Sequence, residues 1–295
     1  MRLRSVTVIL ATLGILVGSV AATISSAQPA PGRIYLALGD SIAASMQPSR
    51  DSQSGFEFHN GYAEQVYQLE QARFPDLRLM KLGCPGERTS TIARPRRLCP
   101  HDEGSQLDQA VAVLEGGDVA FVTLQIGTND AMQCFNFQRS AFDQACIDHL
   151  LPKLATRLSS IVERLWTADP NVPIVGANNF DPLLALWTIP GFPSEAVIAN
   201  AEVWTQVNDT LEQTYVALGV PVVDVEGAFS SGDFDTMVHV RGYGTLPLNV
   251  ARICEWTYAC SEKFDHDFHP TTFGYSIMTR AWEEALATAL TAPAA

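Results

Sequence analysis

The stretch Tyr35-Leu36-Ala37-Leu38-Gly39-Asp40-Ser41-Ile42 is the part of this 295-residue chain from which its architecture follows. The first four residues are apolar and predict a short, buried β-strand. Gly39 ends that strand, and Asp40 and Ser41 are both residue types that favour helix N-caps. We therefore expect Ser41 at a strand-to-helix turn, with its hydroxyl among N–H groups that lack helical partners. A nucleophile would be well placed there, although the same residues could serve only as a helix cap.

Four further apolar runs are predicted as strands, and amphipathic segments between them are predicted as helices. The strands are Leu77–Leu82, Val119–Ile126, Val172–Ala177 and Val220–Val225, and the helices are Tyr62–Phe74, Ser105–Glu115, Ile147–Trp166, Asn200–Leu218 and Thr272–Leu290. Such alternation predicts an α/β fold, a doubly wound sheet of about five parallel strands in a single domain. Residues 47–60 and 227–264 are predicted as loops. The apolar residues 178–195 indicate core, with the wall of a substrate cleft as the alternative.

Ligands of doubly wound sheets bind beyond the carboxyl ends of the strands, where the strand order reverses. Ser41, Gly86 and Asn129 each come directly after a predicted strand. We therefore expect all three to meet at one edge of the sheet. This convergence favours a functional role for Ser41 over simple helix capping.

The composition and the N-terminus indicate an exported protein that does not bind nucleic acid. The formal net charge of −13 argues against polyanionic partners. Arg2 and Arg4 precede an apolar segment, Val6–Val20, and Ser25-Ser26-Ala27 resembles a cleavage site. We predict a signal peptide over residues 1–27, a linker over 28–33 and the folded domain over 34–292. An uncleaved membrane anchor is the alternative reading of the apolar segment.

Six cysteines follow the predicted signal peptide, and an even number in an exported chain indicates disulfide bonds. They form three pairs that are local in sequence, and this local pairing is the simplest connectivity: Cys84 with Cys99, Cys134 with Cys146, and Cys254 with Cys260. A zinc site is the alternative. No pair has the two-residue spacing of a zinc knuckle, which disfavours it.

Acyl transfer requires a nucleophile, a base and donors for an oxyanion, and this chain has a residue for each role. Ser41 can attack a carbonyl carbon. The N–H groups of Ser41 and Gly86 and the side-chain amide of Asn129 can donate to the oxyanion. Among six histidines, His269 is the best candidate for the base, since Pro270 and the start of the last helix would fix its position.

These residues make the chain resemble the SGNH hydrolases, also called the GDSL esterase and lipase family. The family's first block matches Gly39-Asp40-Ser41, its second resembles Lys81-Leu82-Gly83-Cys84-Pro85-Gly86, its third matches Gly127-Thr128-Asn129-Asp130, and its last matches His269-Pro270 with Gly274-Tyr275. The resemblance covers nearly the whole predicted mature chain and implies a flavodoxin-like sheet. The three-disulfide, exported form resembles the actinobacterial branch of the family.

The chain departs from the family pattern at two positions. Lys81 stands where many members have Asn. The family's acid often lies three residues before the histidine, where this chain has His266. Asp267 and Asp265 flank that position, and we favour Asp267 because residues i and i+2 of an extended segment point to the same side. Asp265, or a main-chain carbonyl, remains the alternative partner of His269.

The leading hypothesis is a secreted serine carboxylester hydrolase, an esterase or lipase that forms an acyl-enzyme on Ser41. No Gly-x-Ser-x-Gly elbow is present, which argues against the α/β-hydrolase arrangement. A deacetylase of acetylated polysaccharides and an inactive carbohydrate- or lipid-binding module are the alternatives. No metal or organic cofactor is implied. We expect a small-molecule or lipid ester as substrate, a monomer, and no stable membrane insertion after signal cleavage.

Overall fold

The computed structural model describes residues 33–49 and 55–291, all within one compact unit that spans Gly32–Ala295. In chain order the strands are β1 (Ile34–Gly39), β2 (Met46–Pro48), β3 (Phe56–Phe58), β4 (Arg78–Lys81), β5 (Val119–Gln125), β6 (Phe135–Asn136), β7 (Ala141–Phe142), β8 (Ile174–Ala177), β9 (Val222–Val223), β10 (Met237–Val240) and β11 (Gly244–Pro247). The helices are α1 (Tyr62–Glu70), α2 (Gln106–Glu115), α3 (Thr128–Met132), α4 (Gln144–Ala168), α5 (Ser194–Leu218), α6 (Val225–Ala228), α7 (Leu248–Trp256) and α8 (Thr272–Ala289), with 3₁₀ turns at Pro182–Thr188 and Glu262–Phe264.

The central sheet has five strands in the order β4-β1-β5-β8-β9, and every neighbouring pair is parallel. The predicted fold class is therefore confirmed, including the flavodoxin-like strand order. The chain moves outward from β1 to β4 and then crosses back to β5. The strand order thus reverses between β1 and β5, which are paired along the whole of β1.

Successive residues of β1 face the two helical layers in turn, as the period of a strand requires. Tyr35 and Ala37 pack into the core beneath α1 and α8, while Leu36 and Leu38 pack into the core beneath α2, α4 and α5. Both faces of β1 are therefore covered, which explains its uninterrupted apolar sequence.

Helix boundaries follow from caps that the sequence supplies. The Ser105 hydroxyl accepts from the Asp108 N–H at 3.0 Å at the start of α2. The Thr271 hydroxyl accepts from the Gly274 N–H at 3.1 Å at the start of α8. Capping by Thr271 fixes the point at which the chain leaves His269 and enters the last helix.

Three predictions of local structure were wrong. No helix follows Ser41: residues 41–45 form a hydrogen-bonded turn that ends at Ser45, whose φ is 63°, and the chain then enters β2. The loop predicted over 47–60 contains the β2–β3 hairpin. The irregular segment predicted over 227–264 contains the β10–β11 hairpin and α7. Short antiparallel pairings of this kind depend on contacts with the rest of the protein more than on local composition.

The apolar segment 178–195 is core only in its first half, where Leu183 and Leu184 are buried in the 3₁₀ turn; residues 186–195 are partly or fully exposed, and Ile189 faces solvent. The cysteines form three disulfide bonds, Cys84–Cys99, Cys134–Cys146 and Cys254–Cys260. The signal peptide predicted over 1–27 lies outside the described residues. Across the described ranges, no helix combines the length and the apolar character needed to cross a membrane.

Candidate active site

Ser41 follows the carboxyl end of β1, and the peptide before it is held tightly. Gly39 has a φ of 134°, and a Cβ there would lie 1.8 Å from the carbonyl oxygen of Gln125, so that only glycine fits. The Gln106 side chain accepts from the Gly39 N–H at 2.7 Å and donates to the Gly39 carbonyl at 2.9 Å. The Ser41 N–H has no hydrogen-bond acceptor among the described residues, and Ser41 itself is partly exposed.

Gly86 lies on the exposed turn after β4, with a φ of 73°. Its N–H also has no acceptor in the described part of the chain. The Arg96 side chain binds this turn through two hydrogen bonds and an ion pair. Its Nη1 donates to the Gly86 carbonyl at 3.1 Å, its Nη2 donates to the Pro85 carbonyl at 3.4 Å, and it forms an ion pair at 3.3 Å with the buried Glu87.

Asn129 lies in the first turn of α3 and joins the Gly86 turn to the end of β1. Its Nδ2 donates to the Glu87 carbonyl at 3.1 Å and to Asp40 Oδ2 at 3.4 Å. The neighbouring Asp130 carboxylate accepts from the Thr89 N–H at 2.8 Å and the Thr89 hydroxyl at 2.7 Å. The Gly127–Asp130 motif is therefore hydrogen-bonded to the turn that contains Gly86, and Asn129 contacts the residues next to Ser41 and Gly86 at this edge of the sheet.

His269 lies in the approach to α8, and Asp267 holds its ring. Asp267 Oδ1 is 2.8 Å from His269 Nδ1 and also accepts from the His269 main-chain N–H at 2.9 Å. Both side chains are mostly buried, at 17% and 15% exposure. Asp265 is exposed and in the left-handed conformation, and His266 Nδ1 lies 3.0 Å from the Ala259 carbonyl instead. The structure thus places Asp267, and not Asp265, against His269.

Asp40 connects His269 electrostatically to the turn that contains Ser41. Burial raises the pKa of this carboxyl to about 7, while the hydrogen bond from the Ile42 N–H and the charge of His269 act in the opposite direction. Asp40 is fully buried directly before Ser41. The charge of His269 therefore reaches the carboxyl of the residue that precedes Ser41.

Three residues of this site had no signal in the sequence. Gln106 reaches Gly39 from the start of α2, and Arg96 and Glu87 fasten the Gly86 turn through a charge pair. These contacts join residues that are far apart in the sequence or lie in irregular turns. Neither the periodicity of the sequence nor the spacing of its residues predicts such contacts. Within the described residues, no group of three or more His, Cys, Asp or Glu side chains is placed to hold a metal ion.

The chain belongs to the GDSL-like lipase/acylhydrolase family, whose model matches residues 37–277. Membership identifies an enzyme that acts on ester bonds. No curated protein sequence matches the chain significantly.

Solved structures share the fold at low sequence identity. An extracellular lipase from Streptomyces rimosus is 18% identical with a TM-score of 0.56, over 86% of this chain and all (100%) of that one. An acetylxylan esterase from Geobacillus stearothermophilus, solved as a catalytic mutant, is 18% identical with a TM-score of 0.52, over 89% and 97% of the two chains. A lipase from a goat rumen metagenome is 17% identical with a TM-score of 0.53, over 86% and 97%.

Proposed function

We propose that this protein is a serine carboxylester hydrolase that forms an acyl-enzyme on Ser41, with His269 as the base and Asp267 as the acid that orients it. The observation that carries the proposal is the 2.8 Å contact between Asp267 Oδ1 and His269 Nδ1. An acceptor at Nδ1 fixes the tautomer in which Nε2 is unprotonated and can take a proton from a serine hydroxyl.

The two half-reactions assign a step to each residue. Ser41 Oγ attacks the ester carbonyl and passes its proton to His269 Nε2, and the Asp267 carboxylate stabilises the imidazolium that results. The imidazolium then protonates the alcohol oxygen as the ester bond breaks. A water molecule attacks the acyl-enzyme by the same path and releases the acid.

The oxyanion of each tetrahedral intermediate would accept from the N–H groups of Ser41 and Gly86 and from Asn129 Nδ2. Both main-chain donors lack a partner in the described part of the chain, which suits donors that act only when charge develops. Asn129 holds its 3.1 Å bond to the Glu87 carbonyl with one amide hydrogen. Its longer 3.4 Å contact to Asp40 is weak enough to be exchanged for the oxyanion.

The test is Ser41→Ala, assayed on a series of p-nitrophenyl esters from acetyl to palmitoyl and on an acetylated xylo-oligosaccharide. We expect turnover to be lost while the melting temperature is unchanged, and a fluorophosphonate to label Ser41 alone. Ser160→Ala, at an exposed position of α4, is the control and should retain activity and labelling. Normal turnover by Ser41→Ala, or labelling at another serine, would contradict the proposal.

We further propose that the protein is secreted as a monomer after cleavage of residues 1–27, and that it belongs to the three-disulfide, actinobacterial-like branch of its family. The three disulfide bonds support this proposal, since such bonds persist in oxidising compartments. Mass spectrometry of the protein from culture medium should find an N-terminus at Gln28 and no free thiol. Retention of the protein in the membrane fraction with residues 1–27 intact would contradict it.

A further inference from the structure

The β2–β3 hairpin presents two phenylalanine side chains to solvent beside His269. Phe56 is 47% exposed and Phe58 is 46% exposed. Because they are two residues apart in a strand, both lie on the same face of β3. Glu57, between them, faces the other way and accepts from the Ser49 hydroxyl at 3.0 Å. This face of β3 therefore carries two aromatic rings and no polar side chain.

Phe56 is also the ring that lies against His269. The two ring centroids are 6.3 Å apart, and the rings meet edge to face at an interplanar angle of 70°. Hydrogen bonds from two other elements hold the β2–β3 hairpin, and with it Phe56, in place. The Tyr275 hydroxyl donates to the Met46 carbonyl at 2.7 Å, and Lys81 Nζ donates to the Phe58 carbonyl at 2.7 Å. The hairpin is thus fastened both to α8, which follows His269, and to the sheet.

The chemistry of the proposed reaction decides which part of an ester would reach these rings. The alcohol oxygen must lie within hydrogen-bond distance of His269 Nε2 to be protonated as it leaves. The carbonyl oxygen must point the other way, toward Gly86 and Asn129. The alcohol part is therefore the part of the ester nearest to the imidazole, and a ring that packs on the imidazole is within reach of it.

We propose that Phe56 and Phe58 form the binding surface for the alcohol part of the ester, and that this part is an apolar alkyl or aryl group. The proposal rests on the proposed ester hydrolysis at Ser41. A sugar alcohol would require polar partners for its hydroxyls, and this face of β3 offers none. Phe56 and Phe58 act by removing apolar surface of the substrate from water, with no part in proton transfer.

The test compares esters that differ on one side only, at concentrations below their solubility limits. Ethyl acetate and 2-phenylethyl acetate vary the alcohol with leaving groups of similar basicity, and ethyl acetate and ethyl hexanoate vary the acyl chain. We expect kcat/KM of the wild-type enzyme to favour 2-phenylethyl over ethyl acetate. Phe56→Ala should reduce that preference about tenfold, the usual scale for apolar substrate contacts, and leave the acyl preference unchanged.

Phe137→Ala is the matched control, because Phe137 is 67% exposed and packs on Phe135 with no ring contact to His269 among the described residues. It should change neither preference. An unchanged alcohol preference in Phe56→Ala, or an equal fall in the acyl preference, would overturn the proposal. So would an effect seen only with emulsified substrate, which indicates docking to a lipid surface. Failure of the wild-type enzyme to hydrolyse any of the esters would instead refute the ester hydrolysis on which the proposal rests.

Discussion

Asp267 restrains His269 through two hydrogen bonds that a single carboxylate oxygen accepts. Because Oδ1 accepts from both the ring Nδ1–H and the main-chain N–H of the same residue, the ring is held at a fixed angle to its own backbone. The turn that precedes it passes through two left-handed residues, Asp265 and His266, and this takes the Asp265 carboxylate away from the imidazole. The expected loss on removing the Asp267 carboxylate is therefore one of orientation and of charge stabilisation.

We predict that Asp267→Asn lowers kcat by about 10²–10⁴, since the amide favours the wrong imidazole tautomer. The melting temperature should change little, because the amide keeps an oxygen that can accept from the His269 main-chain N–H. Asp265→Asn is the control and should keep kcat near that of the wild type. Equal kcat in all three proteins would mean that a main-chain carbonyl orients His269.

A second residue-scale prediction concerns Asp40, whose pKa burial raises from 3.8 to about 7. Between these pH values the folded state holds a proton that the unfolded state has lost, so that stability falls as pH rises from about 4 to 7. Asp40→Asn keeps an oxygen for the Ile42 N–H and cannot ionise. Its melting temperature relative to wild type should therefore rise from pH 5 to pH 8. A difference between Asp40→Asn and wild type that stays constant with pH would refute the shift.

The loop after β4, which the Cys84–Cys99 bond closes, has no regular secondary structure. It nevertheless makes several of the hydrogen bonds in the candidate site. Gly86 provides one proposed oxyanion donor, and the Glu87 carbonyl holds Asn129, which provides another. Arg96 donates hydrogen bonds to the Gly86 carbonyl and to the Glu87 carboxylate. These hydrogen bonds join the loop into one unit, and we expect Arg96 to position the proposed oxyanion donors.

We predict that Arg96→Gln lowers kcat about tenfold or more with little change in KM, because charged hydrogen bonds contribute about 1.5–3 kcal/mol each. Such a split indicates loss of transition-state stabilisation alone, whereas general loosening of the fold would also change KM. Arg96→Lys should recover part of kcat. The exposed neighbour Arg97 is the control, and Arg97→Gln should match the wild type. A rise in KM with unchanged kcat would contradict the positioning role.

The elements also show where sequence reasoning reaches its limit. β1 and β5 were predictable because their apolar runs are imposed by burial on both faces. Asp267 was favoured from the two-residue period of an extended segment, whereas in the structure its carboxylate accepts from the main-chain N–H two residues on, as in an Asx turn. The β2–β3 hairpin was not predictable, since its two strands of three residues are fixed by bonds from Tyr275 and Lys81. The role of Arg96 was not predictable for the same reason. It donates to the main-chain carbonyls of a turn, and such contacts leave no pattern in the sequence.

In the molecule as a whole, each disulfide bond braces a segment next to a candidate site residue. Cys84–Cys99 closes the loop that contains Gly86, Cys134–Cys146 joins the segment after α3 to α4, and Cys254–Cys260 closes the turn before His269. The sheet supplies the edge on which the candidate site lies, and each disulfide bond closes an irregular segment near that edge. Cys134 and Cys260 are also buried in the core, and the bonds divide by position: only Cys254–Cys260 closes the loop that is hydrogen-bonded to the His269 segment.

This division predicts that stability and activity separate when single disulfide bonds are removed. Residues 256–258, inside the Cys254–Cys260 loop, pair with the His269 segment: the Tyr258 N–H donates to the His269 carbonyl at 3.0 Å and the Thr271 N–H donates to the Trp256 carbonyl at 2.8 Å. By loop-closure entropy, losing this short bridge costs about 2 kcal/mol, and losing Cys134–Cys146 costs about 3 kcal/mol.

We therefore expect Cys254→Ser/Cys260→Ser to lose more kcat than Cys134→Ser/Cys146→Ser while losing less in melting temperature. The physical reason is that only the first pair closes the loop that is hydrogen-bonded to the His269 segment. Calorimetry and kcat on one short-chain ester, measured well below both melting temperatures, compare the two double variants directly. If the losses of kcat follow the losses of melting temperature in both, the Cys254–Cys260 bridge stabilises the fold without positioning His269.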